Sequence, residues 1–188
     1  MTQKKQRTLS VRRLSEGALL IAVAELLSFL PLYRMPWGGS VDLAMLPIFI
    51  VCARWGFGPA MMVSTAHGIL QMLFEGGIAI GWQSILGDFL LAYMVLGVGG
   101  LFWRAKHGFF WGTLTGCLLR FLVHYVIGAT IWADLMPEMF FGMTMTTPWV
   151  YSALYNSAYL LPDFILVMVA GMLLKRTPAK RFLEPYCE

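Results

Sequence analysis

Residues 149–174 read WVYSALYNSAYLLPDFILVMVAGMLL, an apolar run whose single charged residue is Asp163. A helix needs about 20 such residues to cross the ~30 Å hydrocarbon layer of a bilayer, so this segment reads as a transmembrane span. Its first eight positions nevertheless hold Trp149, Tyr151, Tyr155 and Asn156, all with side-chain atoms that seek hydrogen-bond partners. The length speaks to the fold, and the polar groups speak to a site.

Five further apolar stretches precede it, at about 14–33, 43–55, 59–74, 82–103 and 109–132. The chain of 188 residues is 59% hydrophobic and 13% charged, with a mean hydropathy of +0.69. Soluble domains carry about 25% charged residues, so this chain has too little polar surface to cover a water-soluble particle. The expected fold class is an all-α integral membrane protein, a six-helix transmembrane bundle forming one domain over 1–188. The stretches 43–55 and 59–74 are short for a span, which predicts tilt, a kink or shielding by neighbours. Five spans with one re-entrant segment is the alternative count.

Charge placement orients the bundle. Six spans with an inside N-terminus put Lys4, Lys5, Arg7, Arg12 and Arg13 in a basic cytoplasmic tail (1–13). Arg54, then Arg104 and Lys106, fall in inner turns, and Lys175, Arg176, Lys180 and Arg181 in a second cytoplasmic tail (175–188). Outer loops receive Arg34 against Asp42, Glu75, Asp134 and Glu138. This is the positive-inside pattern with both termini cytoplasmic. The basic start lacks a small-residue cleavage site and reads as retained, not as a removed signal peptide. The +4 net charge sits at span ends and signals no nucleic-acid partner. Cys52, Cys117 and Cys187 show neither metal-ligand spacing nor a disulfide framework. No metal and no cofactor is expected, and no internal repeat is found.

Ionisable groups inside spans cost ~2.5–3.5 kcal/mol at a helix centre on insertion scales and call for a reason. Asp88 lies six residues inside the outer end of its span, His124 eight and Asn156 seven. At 1.5 Å per residue all three sit roughly 9–12 Å below the outer boundary, with Trp132, Trp149 and Tyr151 just above. Polar groups from three spans at one depth under an aromatic rim predict a pocket open to the outside. The plainer readings are an interfacial belt for Trp149, interhelical glue for Asn156 and a structural role for His67. Arg120, nearer mid-span, is expected to form a structural ion pair with Asp163 or Glu25. Proton or sodium coupling through these three is the alternative. Ala18 and Ala22, four apart with Gly17 beside them, let another helix approach closely. The sequence has no G-x-x-x-x-G-K-[ST], H-E-x-x-H or G-x-S-x-G motif, and Ser84 has no His or Lys in its span to activate it. An enzyme is therefore not expected. A small bundle with an outward pocket and no energy source reads as a capture subunit powered by partners; a self-sufficient secondary carrier for a small cationic or aromatic solute is the rival.

The stretches GGSVDLAMLPIFI (38–50), RFLVHYVIG (120–128) and PWVYSALYNSAYLLPDF (148–164) resemble the thiamine-specific substrate-binding (S) component of energy-coupling factor (ECF) transporters. The resemblance spans roughly Leu14 to Leu174. It implies a six-helix bundle in a bacterial cell membrane, with thiamine bound near the outer surface. It also implies partnership with a transmembrane coupling protein and two ATP-binding subunits. Carried over residue by residue, His124 and Trp132 keep the family's spacing of eight, and Tyr151 and Asn156 its spacing of five. Asp88 stands where the family carries Glu, and Trp37 lies in the loop that caps the ligand. Ala18 and Ala22 match the motif that docks on the coupling protein. The implied binding set is Trp37, Asp88, His124, Trp132, Tyr151 and Asn156. Phe89 and Ile78 stand where Tyr is common, and with the shorter acid they leave thiamine and a pyrimidine precursor both open as ligand.

Overall fold

The computed structural model describes residues 11–36 and 38–186. Six helical segments follow one another: α1 (Val11–Ser28), α2 (Met45–Trp55), α3 (Phe57–Glu75), α4 (Gly81–Phe102), α5 (Gly108–Thr130) and α6 (Pro148–Lys175). The last three are long and apolar enough to cross a membrane by themselves. Large apolar side chains such as Leu19, Leu118, Leu122, Leu161 and Ile165 stand more than half exposed on the outside of the bundle, as a lipid-facing surface requires.

The short second stretch is short because it is central. Ten residues of α2 are buried, including Arg54, so the helix is apolar all round and packs against protein on all sides. Met45, Ile48, Phe49 and Val51 meet Leu96 of α4 and Val167 of α6 in the main core. Gly56, at φ 79°, turns the chain from α2 into α3. Close helix approach continues between α4 and α5, where a Cβ on Gly99 would lie 2.5 Å from the carbonyl oxygen of Gly112.

α1 ends at Ser28, earlier than the expected 33. Pro31 follows, and the chain turns into a small hairpin, β1 (Tyr33–Arg34) paired antiparallel with β2 (Ser40–Val41). A second hairpin, β3 (Met139–Phe140) with β4 (Met143–Thr144), joins α5 to α6. α6 starts on Thr147, whose hydroxyl accepts from the Val150 N–H at 3.3 Å, with Pro148 in the first turn, a standard N-terminal signature.

The expected ion pair of Arg120 with Asp163 or Glu25 is not formed. Asp163 Oδ1 accepts the backbone N–H of Asp42 at 2.8 Å, and the Asp42 carboxylate accepts from Ser40 Oγ at 2.6 Å and the Ala44 N–H at 2.7 Å. Glu25 instead lies 2.6 Å from His67 Nδ1 and accepts from Gln71 Nε2 at 3.0 Å. Asp163 thus ties the base of the first hairpin to α6. A buried N–H deprived of its partner costs about 1–3 kcal/mol. Asp163→Ala should lower unfolding stability by that amount, and Asp163→Asn, which keeps an acceptor oxygen, by clearly less. Equal thermal denaturation of the two variants would refute this role.

The first turn of α1 and the end of the described chain meet at one face, where Arg12 Nη1 donates to the Tyr186 hydroxyl at 2.9 Å. The second tail is folded: Pro178–Leu183 form a short 3₁₀ turn and Leu183 is buried in the core.

Candidate functional site

At the opposite end of the bundle a cavity opens between the first hairpin, α4, α5 and α6. Asp88, His124, Trp132, Tyr151 and Asn156 all line it. Trp37 lies outside the described residues; its neighbours Gly38 and Gly39 form part of the cavity wall.

Asp88 is supplied by an irregular stretch of α4. Ile85–Leu91 is π-helical and Val95–Phe102 is 3₁₀. A π segment widens the turn, re-aims the side chains it carries, and recurs at functional sites. The carboxylate collects three donors: Ser84 Oγ at 2.8 Å and Trp132 Nε1 at 2.9 Å on Oδ2, and His124 Nδ1 at 2.9 Å from Oδ1. Trp132 Nε1 also reaches Ser84 Oγ at 3.1 Å.

The partners of His124 define its tautomer. Arg120 Nε, one turn earlier on α5, donates to His124 Nε2 at 3.4 Å. Arginine can only donate, so Nε2 is the acceptor nitrogen and Nδ1 carries the proton given to Asp88. Arg120 stacks its guanidinium 4.1 Å from the Tyr93 ring centre and itself lines the cavity. It lines the candidate site in place of the structural ion pair expected from sequence.

Asn156 holds α6 against α5. Its Nδ2 donates to the His124 carbonyl at 3.3 Å, the Ser152 carbonyl at 2.9 Å and Ser152 Oγ at 3.1 Å. Its Oδ1 accepts from the Tyr159 hydroxyl at 2.8 Å. Ser152 Oγ donates to the Tyr125 carbonyl at 2.8 Å. Gly128 makes room for this contact, since a Cβ there would run into Ser152. Asn156 therefore serves both as interhelical glue and as cavity wall.

Tyr151, Tyr155 and Tyr159 follow at intervals of four on one face of α6. Tyr151 packs edge-on against Phe140 of the second hairpin, with ring centres 5.3 Å apart. Tyr155 donates its hydroxyl to the Gly38 carbonyl at 2.9 Å, joining the first hairpin to α6. Tyr159 lies under Gly39, whose φ of 85° and lack of a Cβ allow the chain to pass within contact of the ring. Tyr93, Ser152 and Tyr159 were not named from sequence, Ser84 was weighed only as a nucleophile, and Tyr155 was named at the start of the last span but not placed in the binding set. The i, i+4 tyrosine spacing was the available signal for two of them. Trp149 stays half exposed at the rim, edge-on to Tyr125, an interfacial residue. At the mouth Glu75 pairs with Arg34 at 3.4 Å.

The arrangement can hold a small, flat, polar cation. A part-buried carboxylate supplies countercharge, tyrosine and tryptophan rings supply faces, and hydroxyl, imidazole and carboxamide groups supply directional bonds.

Comparison with known proteins gives the family. A family model described as thiamine transporter protein (Thia_YuaJ) matches residues 14–183. A thiamine transporter ThiT of Bacillus subtilis is 29% identical over 98% of both chains. Another, from Lacticaseibacillus paracasei, is 26% identical over 87% of both. A solved structure of ThiT from Listeria monocytogenes superposes with a TM-score of 0.79 at 23% identity, covering 92% of this chain and 97% of that one, which shows the shared fold. The chain therefore belongs to the thiamine transporter protein family, whose members are multi-pass membrane transport proteins and not enzymes.

Proposed function

We propose that this protein captures thiamine from outside the cell and delivers it to an ATP-driven ECF coupling module, made of a transmembrane coupling protein and two ATP-binding subunits. The observation that carries the reading is the Asp88 carboxylate, gathered by Ser84, Trp132 and His124 inside an aromatic cavity. Thiamine has a permanently cationic thiazolium, an aminopyrimidine and a hydroxyethyl tail. Asp88 would offset the cation or accept from the exocyclic amine. Trp132, with its indole edge fixed by Asp88, would present a face for stacking. His124, Tyr151 and Asn156 would bond the ring nitrogens and amine, and Trp37 would close over the ligand from the first hairpin. Phe89 is buried and Ile78 half exposed at the cavity; neither offers the hydroxyl common in the family. A pyrimidine relative is the competitor to test beside thiamine.

Ala18 and Ala22 are exposed on α1, on the outside of the bundle, free to meet a helix of the coupling protein. Their small side chains permit close approach.

Two measurements test the reading. Thiamine should quench the tryptophan fluorescence of the purified protein, saturably and at lower concentration than the isolated pyrimidine moiety. Vesicles holding this chain alone should bind but not accumulate thiamine, and addition of the coupling module with ATP should produce uptake. Accumulation by the chain alone under a proton or sodium gradient would replace this reading with a secondary carrier.

A further inference from the structure

We propose that the C-terminal segment 178–186 is a clamp that sets the pose of α1 for engagement of the coupling protein, with Glu16 as the positioning residue. This rests on the reading of Ala18 and Ala22 as the docking strip.

Glu16 lies two positions before Ala18. Its carboxylate is saturated by donors from two helices. Oε2 accepts from Arg54 Nε at 2.6 Å and from Trp55 Nε1 at 3.0 Å. Oε1 accepts from Arg54 Nη2 at 3.2 Å and from Arg12 Nε at 3.0 Å. The cytoplasmic end of α1 is thereby pinned to the last turn of α2, the most buried helix of the bundle.

The tail finishes this pin. Arg54 Nη1 donates to the Arg181 carbonyl at 2.7 Å, and the Tyr186 N–H donates to the Arg54 carbonyl at 2.9 Å. The Tyr186 ring lies 4.7 Å from Trp55, with the guanidinium groups of Arg12 and Arg54 at 4.5 and 5.1 Å from its centre. Its hydroxyl accepts from Arg12 Nη1 at 2.9 Å. Phe182 lies under Arg54 as well, at 5.2 Å. A tail that merely trailed into the cytoplasm would have no need to place Phe, Leu and Tyr against two arginines and a tryptophan.

The tail changes the strength of the Glu16–Arg54 pair. The Arg54 side chain is 5% exposed, and the tail supplies both an acceptor and the cover that excludes water. Uncovered, the pair becomes a surface ion pair of the weakly contributing kind. With Glu16 loose, α1 keeps its anchor at Glu25 on His67 and Gln71 while its cytoplasmic half gains freedom to roll, and each residue step on a helix turns the side chain by about 100°. Small-xxx-small contacts depend on close backbone approach, so a modest roll takes Ala18 and Ala22 out of register with a partner. The thiamine cavity lies at the other end of the bundle and shares none of these groups.

The test uses the full chain, purified and also co-expressed with an ECF coupling module. Glu16→Gln and Tyr186→Ala should leave thiamine affinity within twofold of wild type. They should lower both thiamine uptake and co-purification of the module at least tenfold. Tyr186→Phe, which loses one bond but keeps the ring, should transport close to wild type. Uptake within twofold of wild type for Glu16→Gln and Tyr186→Ala would overturn the clamp. So would a loss of uptake matched by an equal loss of binding or of folded protein, which would make the segment a fold element only. Ala18→Trp separates the two layers. If it transports normally, the docking strip fails and the clamp with it. If it blocks uptake while the Glu16 and Tyr186 variants transport normally, the clamp alone fails.

Discussion

Asp88→Ala is expected to weaken thiamine binding about 100-fold, which corresponds to ~2.8 kcal/mol at 1.4 kcal/mol per decade. The magnitude follows from what the carboxylate does. It is the common acceptor for Ser84, Trp132 and His124 and the only acid among the predicted site residues, so its loss removes the countercharge for a cationic ligand. Hydrogen bonds to a charged group are each worth about 1.5–3 kcal/mol, and truncation also releases the Trp132 indole that would stack on the ligand. Asp88→Glu restores the acid that the family resemblance implies and tests whether the missing methylene matters. It should bind far better than Asp88→Ala. Titration of the fluorescence quench on the three proteins decides the matter. An affinity for Asp88→Ala within threefold of wild type would remove this residue from the site.

Asn156→Asp should be the most damaging isosteric change in the cavity wall, lowering stability by at least ~3 kcal/mol. Asn156 Nδ2 faces three acceptors: two carbonyl oxygens and Ser152 Oγ. An aspartate places an acceptor-only, charged oxygen against them, and an uncompensated buried charge costs about 3–5 kcal/mol. Asn156→Ala removes the donor without adding charge and should cost less, although it strands the Tyr159 hydroxyl. The ordering wild type, then Ala, then Asp in thermal unfolding is the expected result, with thiamine rescuing none fully. An Asp variant as stable as wild type would mean that Asn156 does not face these acceptors.

Much of the site was legible because depth can be counted. Asp88, His124 and Asn156 fall at one level in three spans, and residues at one level in neighbouring helices can meet. What counting could not supply was azimuth. The π-helical stretch around Asp88 breaks the 3.6-residue period on which facing is estimated, so the joint donation of Ser84, Trp132 and His124 to one carboxylate had no sequence signature. Arg120 was misassigned for a related reason. A buried arginine suggests a carboxylate partner, but Asp163 and Glu25 had already found partners in Asp42, His67 and Gln71, and Arg120 turned to Tyr93 and His124. The contacts of the second tail had no sequence signature, because they join residues more than 120 positions apart.

Composition and hydropathy sufficed for a membrane-embedded helical bundle and the polar level inside it, and the placement of Lys and Arg for an expected orientation. These are one-dimensional consequences of the cost of placing charge and unpaired backbone in hydrocarbon. Tertiary packing settled which polar groups share a bond, that the short second segment is the buried centre, and that Tyr186 returns to contact Arg12 of α1. Such pairings depend on the rotation and crossing of packed helices, which are decided when side chains from distant parts of the chain compete for the same space and the same hydrogen-bond partners.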